Sequence, residues 1–203
     1  MKIAHFGATG NAGSRIVAEA LQRGHEVTAI AQHPEKLSPH PRLTRQQGDV
    51  NNQHDVVTLT TGHDAVISSV RFQLIKPDIL LGGLAEAKVK RLLVVGGAAT
   101  LEVAPGVQLL DTPGFPEAYK PEALGGRDFL NRLRSEKELE WTFLSPSAEF
   151  APGSRIGKFR IGGDQLLTDA DGKSWISMED YAIAMIDELE KPQHIRQRFT
   201  VGY

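Results

Sequence analysis

Short β-type runs alternate with apolar stripes at helical spacing through the first two thirds of the chain, and a glycine triplet sits between the first run and the first stripe. Together these predict an α/β fold. The arrangement is an open, doubly wound parallel sheet with helices on both faces, three layers in all, because strand–helix alternation implies parallel strands joined by right-handed crossovers. The 203 residues hold no internal repeat or linker and fit one domain, 1–203. A chain of this size buries about 70% of its unfolded surface, enough to hold a core without staples.

The elements follow in order. Lys2–Phe6 is a short run ending in glycine, the length and flank of a buried strand. Ile16, Val17, Ala20 and Leu21 then make one helical stripe, with Gly24 as its stop. Glu26–Ala31 reads as the second strand and Leu43–Gln47 as a weaker third. A short helix over 52–60 takes Asn51 or Asn52 as its cap. Residues 64–70 are a fourth strand and Arg91–Val95 a fifth, with a helix over 78–88 that Gly82 and Gly83 weaken. Pro105, Pro113, Pro116 and Pro121 rule out a long helix over 98–121, so that stretch reads as an extended loop. Gly126, Phe129, Leu130 and Leu133 mark the next helix, and 141–144 a sixth strand. Short strands over 158–161 and 174–176 flank a turn at 169–173. Ser177 caps a helix with Ala182, Met185, Ile186 and Leu189 inward, and 198–201 closes the sheet.

Composition excludes several classes. No cysteine means no disulfide framework, thiolate metal site or cysteine nucleophile. Lys and Arg total 23 against 25 Asp and Glu, a net charge of −2, which argues against nucleic-acid binding through overall charge. No apolar run could span a bilayer and the N-terminus has no signal-peptide pattern, so a cytoplasmic protein is expected, as monomer or homodimer. The seven histidines lack His-x-His or His-Glu-x-x-His spacing, so no metal site is expected, and His5 reads as a core side chain. No Gly-x-Ser-x-Gly elbow is present for a serine hydrolase.

The sharpest signal is Gly7-Ala8-Thr9-Gly10-Asn11-Ala12-Gly13, directly after the first strand and opening the first helix. Gly7 permits a tight turn, Gly10 lets a pyrophosphate approach the backbone, and Gly13 allows close helix packing. The helix N-terminus meanwhile presents free N–H groups to the anion. The spacing in this context predicts nucleotide binding.

This loop resembles that of the atypical short-chain dehydrogenase/reductases, a Rossmann-type NAD(P)-binding family. So do Gly48-Asp49-Val50, the run from Asp64 to Ser69, the run from Val94 to Ala98, the run from Trp141 to Pro146, and the run from Ile176 to Ala182. Within it the chain is most similar to small NmrA-like proteins described as NADH-flavin reductases. The resemblance implies that Asp49 and Val50 flank the adenine and that Ser68, Ser69 and Val70 follow the cofactor. It puts Gly96 and Gly97 under the nicotinamide side, with Ser145 and Pro146 beside the nicotinamide. Arg15 lies where some relatives contact a 2′-phosphate.

NADP and NAD both stay open, with a lean to NADPH. The second strand ends Ile30-Ala31-Gln32-His33 with no acid there to bind a ribose diol. Gln32 stands where many relatives carry arginine, while His33 and Lys36 can add positive charge. The Tyr-x-x-x-Lys pair of the classical superfamily members is absent: Tyr119 and Tyr181 have Ala123 and Met185 four places on, and Tyr203 is last.

Hydride transfer to a flavin (FMN among them), a quinone or a similar planar acceptor needs stacking more than a dedicated acid, and is the expected reaction. The 98–121 loop and the 145–176 segment are expected to form the substrate side, with Tyr119 and Ser145 as candidate catalytic residues. The alternative is a cofactor-binding redox sensor without turnover. An epimerase or dehydratase is disfavoured by the missing tyrosine pair and the short chain.

Overall fold

The computed structural model describes all 203 residues. Its strands are Lys2–Phe6 (β1), Glu26–Ala31 (β2), Leu43–Gln47 (β3), Ala65–Ser68 (β4), Arg91–Val95 (β5), Glu102–Ala104 (β6), Val107–Gln108 (β7), Glu140–Ser145 (β8), Glu149–Ala151 (β9), Arg160–Gly162 (β10), Trp175–Ser177 (β11) and Gln197–Gly202 (β12). The helices are Asn11–Gln22 (α1), Gln53–Thr60 (α2), Pro77–Glu86 (α3), Lys120–Arg134 (α4) and Met178–Glu190 (α5).

Eight strands form one sheet in the order β10-β12-β8-β5-β4-β1-β2-β3. Only β10 runs antiparallel to its neighbour β12. The strand order reverses between β1 and β4, since the chain first builds outward through β2 and β3 and then returns to the other side. Such a switch point leaves a crevice beyond the carboxyl ends of the strands.

Both faces of the sheet are buried, so its central strands are apolar on alternate sides. On β4, Ala65 and Ile67 join the core under α1 and α5, while Val66 joins the core under α2, α3 and α4. Leu93 of β5 packs on the first face, and Leu92 and Val94 on the second. This is the buried-strand pattern of a doubly wound sheet, as the sequence predicts.

Some expectations are corrected. The 98–121 stretch is not simply an extended loop: it contains the β6–β7 hairpin, and α4 already starts at Lys120. Pro121 sits in the first turn of α4, where a missing N–H costs nothing because that amide has no intrahelical acceptor. Gly82 and Gly83 lie inside α3, and a Cβ on Gly83 would stand 2.5 Å from Val56 Cγ1 of α2. Close α2–α3 packing requires that glycine. The strands expected around the 169–173 turn do not pair with each other; β10 joins β12, and β11 joins β9. Strand β9 carries no expectation from sequence, because three residues, one exposed and two half-buried, leave too little pattern.

Candidate functional site

The glycine loop is built as its spacing requires. Gly7 has φ +81°, and a Cβ there would lie 2.8 Å from Ser69. A Cβ on Gly13 would be 2.2 Å from the Gly7 carbonyl oxygen, so the start of α1 can sit on that carbonyl only as glycine. Gly10 differs: its φ of −69° suits any residue, and a Cβ would meet only the Gly7 oxygen at 3.3 Å. Its bare surface is turned outward.

Helix α1 carries no side-chain cap and no acid in its first turn. The other helices differ: Asn52 caps α2, Ser177 caps α5, and α3 and α4, likewise uncapped, carry Asp78 and Glu122 in their first turns. The amides of Asn11, Ala12 and Gly13 therefore keep their donors and the positive end of the helix dipole free. Ala8 is completely buried and packs into the core under the loop, so its side chain supports the cradle without facing a ligand.

A cleft of about 490 Å³ opens from this loop. Its floor is Phe6, Gly7, Thr9 and Gly10. One wall comes from the end of β2, with Gln32, His33 and Lys36; another from Gly48, Asp49, Val50 and Asn51 after β3; a third from Ser69, Val70, Arg71 and Leu74 after β4. Every wall lies beyond the carboxyl end of a strand, where a doubly wound fold takes its ligand. Lys36 and Arg71 put positive charge on the rim. Asp49 is partly committed to its own turn, with Oδ1 accepting the Asn51 amide at 2.9 Å. This lining suits an anionic dinucleotide: it reaches Gly10, next to the free first-turn amides of α1, and combines apolar Ile30 and Val50 with cations at the edge.

The structure divides the residues singled out in the sequence. Thr9, Gly10, Gln32, His33, Asp49, Val50, Ser69 and Val70 meet at this cleft. Ser68 is buried within β4. Ser69 directs its hydroxyl into the loop, donating to the Gly7 carbonyl at 3.0 Å. Arg15 turns away: its Nε donates to Glu179 at 2.6 Å and its Nη1 to the Asn11 carbonyl at 2.8 Å. Burial opposes ionisation of Glu179, but Arg15 and the Gly153 amide outweigh it and hold that carboxyl below the usual range.

Gly96, Gly97, Ser145 and Pro146 lie at the carboxyl ends of β5 and β8, one and two strands beyond β4. Gly96 donates to the Leu144 carbonyl at 2.8 Å, and a Cβ on it would stand 2.4 Å from the Phe143 ring. Ser145 Oγ is buried and has no hydrogen-bond partner.

Tyr119 stands on the turn before α4, 66% exposed, and no hydrogen bond links it to Ser145. The two candidate catalytic side chains do not form a pair: one is sealed in the sheet and the other faces solvent. Tyr181 is fully buried with its hydroxyl donating to Leu144 O at 2.6 Å, and burial pushes that phenol well above its ordinary range.

Arg71, Asn51 and Leu74 are cleft residues that sequence reasoning did not single out as such. The available signal was position, since each follows the carboxyl end of a strand. Asn51 bridges two walls through the Leu74 carbonyl (2.7 Å) and the Lys76 amide (2.8 Å).

This sheet order, with an uncapped helix behind a glycine loop at the switch point, defines a Rossmann-type dinucleotide-binding protein. The chain matches the NAD(P)H-binding family over residues 7–192 and belongs to it. It is 41% identical to the uncharacterised Bacillus subtilis protein YwnB, covering 99% of this chain and 98% of that one. Among solved structures, a Bacteroides thetaiotaomicron protein described as a "putative epimerase" superposes with a TM-score of 0.95 at 43% identity, covering 100% of this chain and 96% of that one. A Streptococcus pneumoniae protein described as a "putative NADH-flavin reductase" gives 0.87 at 36% identity, covering 100% and 99%. No helix is long and apolar enough to cross a membrane.

Proposed function

We propose that this protein is an NAD(P)H-dependent oxidoreductase that reduces a flavin, a quinone or a similar planar acceptor. The observation that carries the reading is the cradle, an uncapped helix N-terminus behind a glycine loop that opens into a cleft with cations on its rim. When bound, the dinucleotide supplies hydride from its nicotinamide ring, and water supplies the accompanying proton. The chain binds and orients. The first-turn amides of α1 hold the pyrophosphate, Asp49 and Val50 flank the adenine, and Gln32, His33 and Lys36 surround the adenosine ribose. With no carboxylate beside Gln32 to take a ribose diol, Lys36 tilts the choice toward NADPH.

Gly96, Gly97, Ser145 and Pro146 border the nicotinamide side. The acceptor enters between the 98–121 and 145–176 segments. Several contacts support treating these as one wall: the Glu102 amide donates to Asp164 O at 2.8 Å, the Leu166 amide to Glu102 O at 2.9 Å, and Arg198 Nε to Asp164 at 2.6 Å.

A second reading, a nucleotide-binding sensor without turnover, is favoured by the two candidate catalytic side chains, Ser145 sealed in the sheet and Tyr119 facing solvent. Tyr181 is sealed, Tyr203 donates to Asp180 at 2.7 Å, and Tyr119 stands in solvent. The same facts weigh against an epimerase that works through a tyrosine acid.

The deciding assay follows NADPH and NADH absorbance with protein and FMN, riboflavin or a simple quinone. Oxidation that needs both protein and acceptor, faster with NADPH, is expected. Tight nucleotide binding with no turnover on any acceptor overturns the reductase in favour of the sensor.

A further inference from the structure

Histidine is an unusual choice for the middle of a buried strand, and His5 of β1 is 1% exposed. Its Nε2 lies 2.9 Å from Ser69 Oγ, at the end of β4. The same hydroxyl reaches the Gly7 carbonyl at 3.0 Å and the Phe6 carbonyl at 3.2 Å. A serine hydroxyl has one hydrogen and can also accept. Both carbonyls only accept, so we assign the hydroxyl hydrogen to them and the Nε2–H tautomer to His5, whose ring then donates to the Ser69 lone pair. Burial holds the imidazole near a pKa of about 3, far below its ordinary 6.5, so the ring stays neutral and keeps this role at any working pH.

The relay ends on the one carbonyl that shapes the loop. Gly7 O accepts from the Gly10 amide at 3.0 Å as well as from Ser69, which occupies both of its lone pairs. Gly13 packs against the same oxygen so closely that no Cβ fits. Turned inward in this way, the carbonyl does not face the anion. Rotated outward, its negative oxygen would oppose a phosphate where the free amides of α1 should meet it.

We infer that His5 and Ser69 are positioning residues for nucleotide binding: through a histidine–serine–carbonyl relay they hold the Gly7 oxygen away from the pyrophosphate, so that the cradle is shaped for the anion before it arrives. The inference rests on the nucleotide-binding reading above and adds to it a buried histidine, His5, acting through the hydroxyl of Ser69 on the cleft wall.

The test measures NADPH and adenosine affinity by calorimetry and nuclear magnetic resonance, with a melting curve for every variant. Adenosine lacks the phosphates and is insensitive to the loop carbonyl. Ser69→Ala is expected to weaken NADPH about tenfold, the scale of one orienting hydrogen bond, and to leave adenosine binding unchanged. His5→Gln keeps an N–H donor and is expected to stay within about threefold of wild type, while His5→Leu behaves like Ser69→Ala. The double variant His5→Leu/Ser69→Ala leaves no buried donor without a partner, which guards against simple misfolding, and is expected to show the same tenfold loss. Wild-type NADPH affinity in the double variant overturns the inference. An equal loss for NADPH and adenosine, tracking the melting temperature, also overturns it, because the pair would then be ordinary packing. If the unaltered protein binds neither NADPH nor NADH, the nucleotide reading itself fails, and the inference fails with it before any variant is compared.

Discussion

Three glycines in one loop answer to three different physical demands. Gly7 needs its positive φ, and Gly13 needs the absence of a Cβ against a carbonyl 2.2 Å away. Gly10 needs neither, since its backbone suits any residue and its only close neighbour would be at 3.3 Å. Its bareness serves whatever approaches from outside. Gly10→Val should therefore leave the melting temperature within about 4 °C of wild type, the shift that 1 kcal/mol produces in a domain of this size. Dinucleotide binding should be lost in calorimetry; retained affinity would remove the site assignment. The loop is legible in sequence because its glycines are local requirements. His5 is not, since nothing in Lys2–Phe6 says that its ring will meet a serine 64 residues away. The partner of Arg15 is hidden for the same reason, because Glu179 comes from a helix at the other end of the chain.

At the scale of elements, two helix N-termini are put to opposite uses. The first turn of α1 is bare, while that of α5 holds Glu179 and Asp180 and is capped by Ser177. The acids of α5 do more than favour the dipole. Asp180 Oδ1 accepts the amides of Ile156 (2.7 Å) and Gly157 (2.9 Å), and Glu179 accepts that of Gly153 at 2.7 Å. Arg155 then reaches Glu19 of α1 with two bonds of 3.0 Å. The segment 153–157 is thus tied down without a strand or helix of its own. Ser177→Ala should cost about 1–2 kcal/mol in urea denaturation through loss of the cap. It also removes the Ser177 bond to Ser154 O at 2.8 Å, so faster hydrogen exchange of the Ile156 and Gly157 amides should accompany it. Unchanged exchange would mean that Asp180 alone holds the segment.

Across the whole molecule, the two ends of the sheet have different duties. The carboxyl ends carry the open cleft with its rim cations, beside the free first-turn amides of α1. At the amino ends stands a largely buried polar cluster, in which, of the buried side-chain polar atoms, Arg91 Nε alone lacks a partner. Arg91 of β5 donates to Glu188 at 3.0 Å, to Glu140 O at 2.8 Å and to Thr142 Oγ1 at 2.8 Å, and His194 lies 2.8 Å from the other Glu188 oxygen. Burial pulls the Arg91 pKa down and the Glu188 charge opposes that pull. Glu188→Ala leaves a buried guanidinium without its carboxylate and is expected to cost about 3–5 kcal/mol in denaturant unfolding. Dinucleotide affinity should not change, because the cluster sits at the far end of the strands. A loss of affinity out of step with stability would show that the two ends are coupled.

The strand–helix order, the parallel sheet, the glycine cradle and the cap at Ser177 are legible in the residues alone, since these follow from periodicity and from residues that act on near neighbours; for α2 the residues left Asn51 and Asn52 both open, and the structure selects Asn52. The sequence also excluded disulfides and the tyrosine–lysine mechanism, because both depend on residue types that are absent or out of place. Which polar groups stay available, and which are already taken, emerges only when distant segments meet. Arg15 is bound to α5, the Ser69 hydroxyl is turned into the loop, Ser145 is sealed, and Arg71 is brought to the cleft rim. Whether a side chain can meet a ligand depends on which distant groups have already taken its hydrogen bonds, and those distances are set when the sheet closes.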